Sequence, residues 1–186
     1  MGVLEVVNIT IQERAFAFRS EYDISTPDRN YYARKKLFSI RAKVELMTGE
    51  DRVVATIRSL SFFRSRYDFE LSDGNVYRFR CEKFWKGVYA CEGNEERYHL
   101  YQHKGLRYSI FQDDRQIAAI TKNRLVVGKG NRYEIQLNDD ANVAIVICLA
   151  LTINTSQDDD DHSTVTIDFG NIGPEDRKFD ESWEPS

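Results

Sequence analysis

The sequence predicts a mostly β fold, an antiparallel sandwich or barrel, with one apolar segment enclosed by it. Three observations carry this. Short stretches in which apolar and polar residues alternate recur between clusters of Gly, Asn, Asp and Ser, as strands with one wet face do when tight turns join them. Near the end of the chain an eleven-residue apolar run, Val143 to Ile153, shows no such alternation. The chain has 186 residues, 41% of them hydrophobic and 12% aromatic, with three prolines, enough for one domain with a sizeable core and unlike a disordered composition.

The start, MGVLEVVNIT, lacks a basic region, a long apolar region and a small-residue cleavage site, so it does not read as a secretory signal, and Val6 stands where a myristoylation motif wants Ser or Thr. Cys81, Cys91 and Cys148 are odd in number and lack CxxC spacing, which fits reduced thiols in a cytosolic protein; the sequons at Asn8 and Asn154 then carry no glycan. From Leu37 to Met47 the residues Phe38, Ile40, Ala42, Val44 and Leu46 alternate with polar ones, a strand. Tyr67, Phe69 and Leu71, then Ser72-Asp73-Gly74-Asn75, then Tyr77, Phe79 and Cys81, read as a hairpin. A second hairpin joins Tyr98, Leu100 and Gln102 through His103-Lys104-Gly105 to Tyr108, Ile110 and Gln112. Asp113-Asp114 opens a third turn before Ile117 to Thr121, and Tyr133, Ile135 and Leu137 close the series. Strands at this spacing indicate a sandwich or a barrel.

Two structures suit the apolar run. Val143, Ile145, Val146, Ile147 and Ile153 are β-branched, as in a doubly buried central strand. Against that, Asp139, Asp140 and Asn142 offer caps and favourable charge for a helix start, and a helix apolar all round must be enclosed. Eleven helical residues span roughly 16 Å, about half a bilayer core, so the run does not cross a membrane. Asp158 to Asp161 would oppose the helix dipole, which places the helix end before them and the acids in a solvated loop. Thr164 to Phe169 reads as a last strand, and the remainder as an extended acidic tail pinned by Phe179 or Trp183.

Strands followed by one apolar helix is the order found in the tubby-like superfamily. The stretches "EYDISTPDRNYYARKKLFSIRAKVELM", "ATIRSLSFF", "YDFELSDGNVYRF", "YSIFQDDRQIAAITK" and "NRYEIQLNDDANVAIVICLALTIN" resemble its LURP-one-related branch, over roughly residues 14 to 155. The resemblance implies a closed antiparallel β-barrel of about twelve strands wrapped around one central hydrophobic α-helix at residues 141–155. Residues 1–170 then form a single barrel domain and 171–186 an acidic C-terminal tail. The superfamily includes phosphoinositide-binding tubby domains and phospholipid scramblases beside proteins of no known activity, so what passes over is fold rather than a reaction. The acidic stretch after the helix and the tail depart from the family and inherit nothing.

Catalytic chemistry is not visible in the residues. His99, His103 and His162 lack metal-ligand spacing, and His103, in a turn, reads as a surface residue. There is no GxSxG elbow, Gly128-Lys129-Gly130-Asn131 lacks P-loop spacing, and Asp158 to Asp161 lacks the glycine and final Glu of an EF-hand. Cys148 belongs to the apolar run and packs as a small hydrophobe, whereas Cys81 and Cys91 remain open as reactive thiols, and any two carboxylates that converge in space remain open as an acid pair. We expect no cofactor and no metal.

Charge is the remaining signal. The net charge is −4, but residues 28–107 carry 17 Lys or Arg against 11 acids, and residues 139–186 carry 12 acids against 2 basic residues. Arg34, Lys35 and Lys36 flank a strand; Arg64 with Arg66 and Arg78 with Arg80 lie two apart and share a face; Lys83 and Lys86 surround Phe84-Trp85. These nine residues are the candidate anionic-lipid-binding set. Trp85 and Tyr77 offer base stacking, but a pI near 5.5 argues against a nucleic-acid binder. The expectation is a non-enzymatic cytoplasmic binding module, peripheral at a membrane where it meets anionic phospholipid headgroups. The alternatives are a protein-interaction module using edge strands or the acidic tail, a small-ligand site of unfamiliar type, and a barrel exterior whose charges only keep it soluble.

Overall fold

The structure is a computed structural model that describes residues 7–16, 19–36, 43–60, 66–124, 130–160 and 174–186. Twelve strands follow one another in chain order: β1 (Val7–Phe16), β2 (Arg19–Ser25), β3 (Asn30–Lys36), β4 (Lys43–Thr48), β5 (Val53–Ser59), β6 (Arg66–Leu71), β7 (Val76–Lys83), β8 (Val88–Gly93), β9 (Glu96–His103), β10 (Arg107–Gln112), β11 (Arg115–Arg124) and β12 (Asn131–Leu137). Each pairs antiparallel with its neighbours in sequence, and β1 pairs with β12 from Val7 opposite Leu137 to Gln12 opposite Arg132. The sheet is therefore a closed barrel, and no described strand offers a free edge to a partner.

Period-2 sequence gives these strands one buried face. In β6, Tyr67, Phe69 and Leu71 point inward while Arg66 and Glu70 are exposed; in β7, Tyr77 and Phe79 are buried while Arg78 is exposed. The hairpin between them turns at Asp73-Gly74, where Asp73 Oδ1 accepts the Asn75 backbone N–H at 2.9 Å and Gly74 takes a φ of +90°, open to glycine at little cost. The other expected hairpins, β9 to β10 through Lys104-Gly105 and β10 to β11 through Asp113-Asp114, stand where the turn residues put them. The strand expected at Thr164 to Phe169 and the first half of the one expected at Leu37 to Met47 lie outside the described residues.

The apolar run is a helix, α1, Val143–Asp160. Asn142 Oδ1 accepts the Ile145 N–H at 3.3 Å, an N-cap of the kind expected from this end. The helix starts two residues later than the sequence suggested and continues past residue 155 through Asp160, so its backbone takes in the acids that the dipole argument had placed beyond its end. From Ile145 to Thr152 no residue is more than 1% exposed, so no side of these two turns faces water. These residues share one core with Ile9, Ile24, Leu46, Ile57, Phe69, Leu100 and Ile135 of the strands.

Candidate anion-binding corner

β7 ends at Lys83 and runs into a single 3-10 turn, Phe84–Lys86. Such a turn has three residues per revolution, so Lys83 and Lys86 project to the same side. Gly87 closes it in the left-handed region, at φ +59°, and its N–H returns to the Phe84 carbonyl at 3.1 Å. A Cβ at this position would lie 2.5 Å from the Gln102 Cβ, so both the dihedral and the space require glycine. Between the lysines, Phe84 is 44% and Trp85 77% exposed, their rings edge to face at 5.4 Å. Two large aromatics held in water between two ammonium groups are the most conspicuous feature of the described surface.

Both lysines hold one carboxylate. Lys83 Nζ donates to Asp176 Oδ2 at 2.8 Å and Lys86 Nζ to Oδ1 at 2.9 Å, and these two bonds pull the Asp176 carboxyl down to about 2. The Asp176 bond in turn raises the Lys83 ammonium above the usual lysine range. Asp176 belongs to the C-terminal segment 174–186, which lies on the outer face of β9 and β10. There Glu175 accepts the Lys104 backbone N–H at 2.9 Å, the Arg177 guanidinium sits 4.0 Å from the Phe111 ring centre, and the Phe179 ring packs 5.1 Å from His103 and under Arg107 at 4.3 Å. Arg107 also pairs with Glu181. The cover explains why alternation fails in these two strands: His103, Ser109 and Phe111 point outward yet are buried, at 0%, 2% and 7% exposure.

Of the nine cations expected to form a basic exterior, those whose side chains are described do not gather into one group. Arg34 pairs with Glu21 at 3.5 Å on the barrel wall. Lys35 is a correction: expected outward, it is 5% exposed, because consecutive residues of a strand alternate and it falls on the face of Ala33, opposite Val44. The backbone of Lys36 ends β3, and Arg64 lies outside the described residues. Arg66 and Arg78 are exposed, and neither forms an ion pair among the described residues. Arg80 is bidentate with Glu92, at 2.7 and 3.1 Å, and reaches Glu82 at 3.3 Å. Among the described side chains of this set, Lys83 and Lys86 are the two that converge on one anion.

His103 is a second correction. It is wholly buried beneath Phe179, with Nε2 2.7 Å from Ser109 Oγ, and burial pushes its imidazole below the ordinary histidine range. The thiols are poor nucleophiles: burial raises all three, Cys148 to about 12. Tyr77 and Tyr98 both donate to Glu96 Oε2, at 2.5 and 3.0 Å; burial and that carboxylate raise both phenols, so they act as donors and not as bases. Among the described residues no three His, Cys, Asp or Glu side chains gather as a metal site, and no helix is long and apolar enough to cross a membrane. What sequence reasoning missed is the segment 174–186 as part of the site; the aromatics within its acids were the one available signal.

No curated protein and no solved structure shows a significant match to the chain. A family profile does: that of the LURP-one-related proteins matches residues 7–154, from the first residue of β1 into the helix, and takes in all twelve strands. With a match over that span, the chain belongs to the LURP-one-related family, a branch of the tubby-like superfamily.

Proposed function

We propose that this chain is a non-enzymatic binding module that meets anionic phospholipid headgroups through the turn Lys83-Phe84-Trp85-Lys86, at the cytoplasmic face of a membrane. The observation that carries the reading is the exposure of Phe84 and Trp85 between two lysines on one turn. Tryptophan and phenylalanine favour the headgroup boundary, where an amphipathic ring meets both lipid and water, and lysines beside them attract anionic lipid. The grip of Lys83 and Lys86 on the Asp176 carboxylate supports the same chemistry, since two ammonium groups that fit one oxyanion suit a phosphate as well. The remaining arginines contribute a diffuse field, Arg66 and Arg78 most. In the same reading the helix α1 lies along the barrel interior, supported by burial on all its sides from Ile145 to Thr152.

Trp85 itself provides the test. In a Trp183→Phe background, its emission should shift to the blue when vesicles containing phosphoinositide are added at low salt. The shift should shrink as salt rises, be absent with neutral vesicles, and be lost in Lys83→Glu/Lys86→Glu. The reading fails if the emission stays unchanged with every vesicle, both in this chain and in one carrying Asp176→Asn. An interaction with another protein through the same exposed aromatics would then take its place, since the closed barrel leaves no described strand edge for it to use.

A further inference from the structure

The carboxylate between Lys83 and Lys86 comes from the chain's own end, and this bears on when the corner can be used. Residues 174–186 carry five acids against two basic residues. They are fastened along their length. Glu175 and Asp176 lie at one end, Arg177 and Phe179 stack in the middle, and the Ser186 N–H donates to Asn138 Oδ1 at 3.0 Å just before α1. Each ion pair is exposed, and such pairs are individually weak. The Phe179 ring between His103 and Arg107 is the contact that holds in salt. Joined to the barrel by its own chain, the segment needs little intrinsic affinity to stay docked, because its effective concentration at the corner is high.

We propose that residues 174–186 are an autoinhibitory strap: the Asp176 carboxylate occupies the place of a headgroup phosphate, and the corner engages an anionic surface only after the strap leaves. The proposal rests on the headgroup reading and adds its regulation. Two physical effects make the strap inhibitory. It takes up the positive charge of Lys83, Lys86 and Arg107, and it lays net negative charge beside the turn that would approach an anionic membrane. Binding to the open fraction alone weakens apparent affinity by that fraction.

The full chain is compared with Asp176→Asn/Phe179→Ala and with the near-isosteric Glu175→Gln/Asp176→Asn. The vesicles are phosphatidylcholine with and without phosphoinositide. Exchange of the Lys104 amide, which Glu175 protects, reports the strap independently of lipid. Release should raise amide exchange and tighten binding to phosphoinositide vesicles roughly tenfold, as for a corner open about a tenth of the time. A synthetic peptide of residues 174–186 should reverse the gain. If amide exchange rises while both chains bind the vesicles equally, the autoinhibition is overturned and the headgroup reading stands. If exchange does not rise in either variant, the strap is not held by these contacts and the proposal is overturned. If the released chains bind no vesicle, the headgroup reading falls and the autoinhibition with it. Capture of the peptide alone, lost in Lys83→Glu/Lys86→Glu, would make the corner a site for acidic peptides.

Discussion

Ile147 offers the sharpest test of how α1 is held. It is 0% exposed in the middle of the run from Ile145 to Thr152. Replacing it by Asp removes the transfer free energy of an isoleucine side chain, about 1.5–3 kcal/mol. The new carboxyl has no partner there, so it is buried protonated, and protonating an aspartate of ordinary pKa near 3.9 at pH 7 costs about 4 kcal/mol. Its unsatisfied hydrogen-bonding groups add about 1–3 kcal/mol. The sum, about 7–10 kcal/mol, is comparable to the whole stability of a typical domain, about 5–15 kcal/mol. Ile147→Asp should therefore be unfolded or nearly so at neutral pH, whereas Ile147→Val should lose about 0.5–1.5 kcal/mol. The pH dependence has a definite sign. A carboxyl raised in the folded state binds its proton more tightly there, so the penalty shrinks as pH falls towards the unfolded value near 4. Urea unfolding followed by circular dichroism at pH 7 and pH 4.5 measures both effects. A variant that unfolds cooperatively at pH 7 with a loss below about 1 kcal/mol would show that this helix face meets water, and the enclosure argument would fail.

Other perturbations probe the corner and the thiols. Gly87→Ala forces a Cβ onto Gln102 at a positive φ and should destabilise the chain by on the order of 1–3 kcal/mol, with loss of vesicle binding at temperatures where the fold persists; thermal melting and sedimentation check the two effects. The Asp176 carboxyl, lowered from 3.8 to about 2, contributes to strap docking above its unfolded value and loses that contribution as pH falls through the window between them; Lys104 amide exchange, referenced to a freely exchanging peptide, should speed up across that window and not above it. Cys148, raised from 9.0 to about 12, should show a thiolate fraction at pH 7 roughly a thousandfold below an ordinary thiol, so iodoacetamide should label it only on unfolding, as mass spectrometry will report.

The hairpins were legible because period-2 alternation and turn residues are local signals, and both occur together around Asp73-Gly74 and Lys104-Gly105. β1 carries the same alternation in Asn8, Ile9, Thr10, Ile11 and Gln12, so this strand too is legible in its local pattern, although none was expected there. The end of α1 was misplaced because the dipole term is small beside the helical continuity of the residues before it. His103 and Lys35 failed for different reasons. The residue that buries His103 is Phe179, far along the chain, whereas Lys35 needed only the strict alternation of β3. The lysines of the corner were found as a charge pair in sequence, but Lys83 and Asp176 are 93 residues apart, and no local pattern joins them.

The opposed charge of the two halves of the chain suggested a basic body advertising itself to an external anion. Much of that charge is settled within the barrel wall, where Arg14 meets Asp23, Arg58 meets Glu70 and Arg80 meets Glu92 across neighbouring strands. These pairs arise because long side chains two residues apart on adjacent strands face each other, so wall cations and wall acids neutralise locally whatever the totals are. The corner escapes this rule because Lys83 is the last residue of β7, opposite Val88, and Lys86 lies on the turn that follows, so the facing strand supplies no acid there. Its acid comes from the tail, which is tethered rather than hydrogen-bonded into the sheet. A cation paired across the sheet keeps its acid beside it as long as the barrel is folded, but one paired with a tethered segment loses its acid when that segment undocks. The opposite charge of body and tail therefore bears on this one corner, where a neighbouring anionic surface and the chain's own carboxylates compete for the same two ammonium groups.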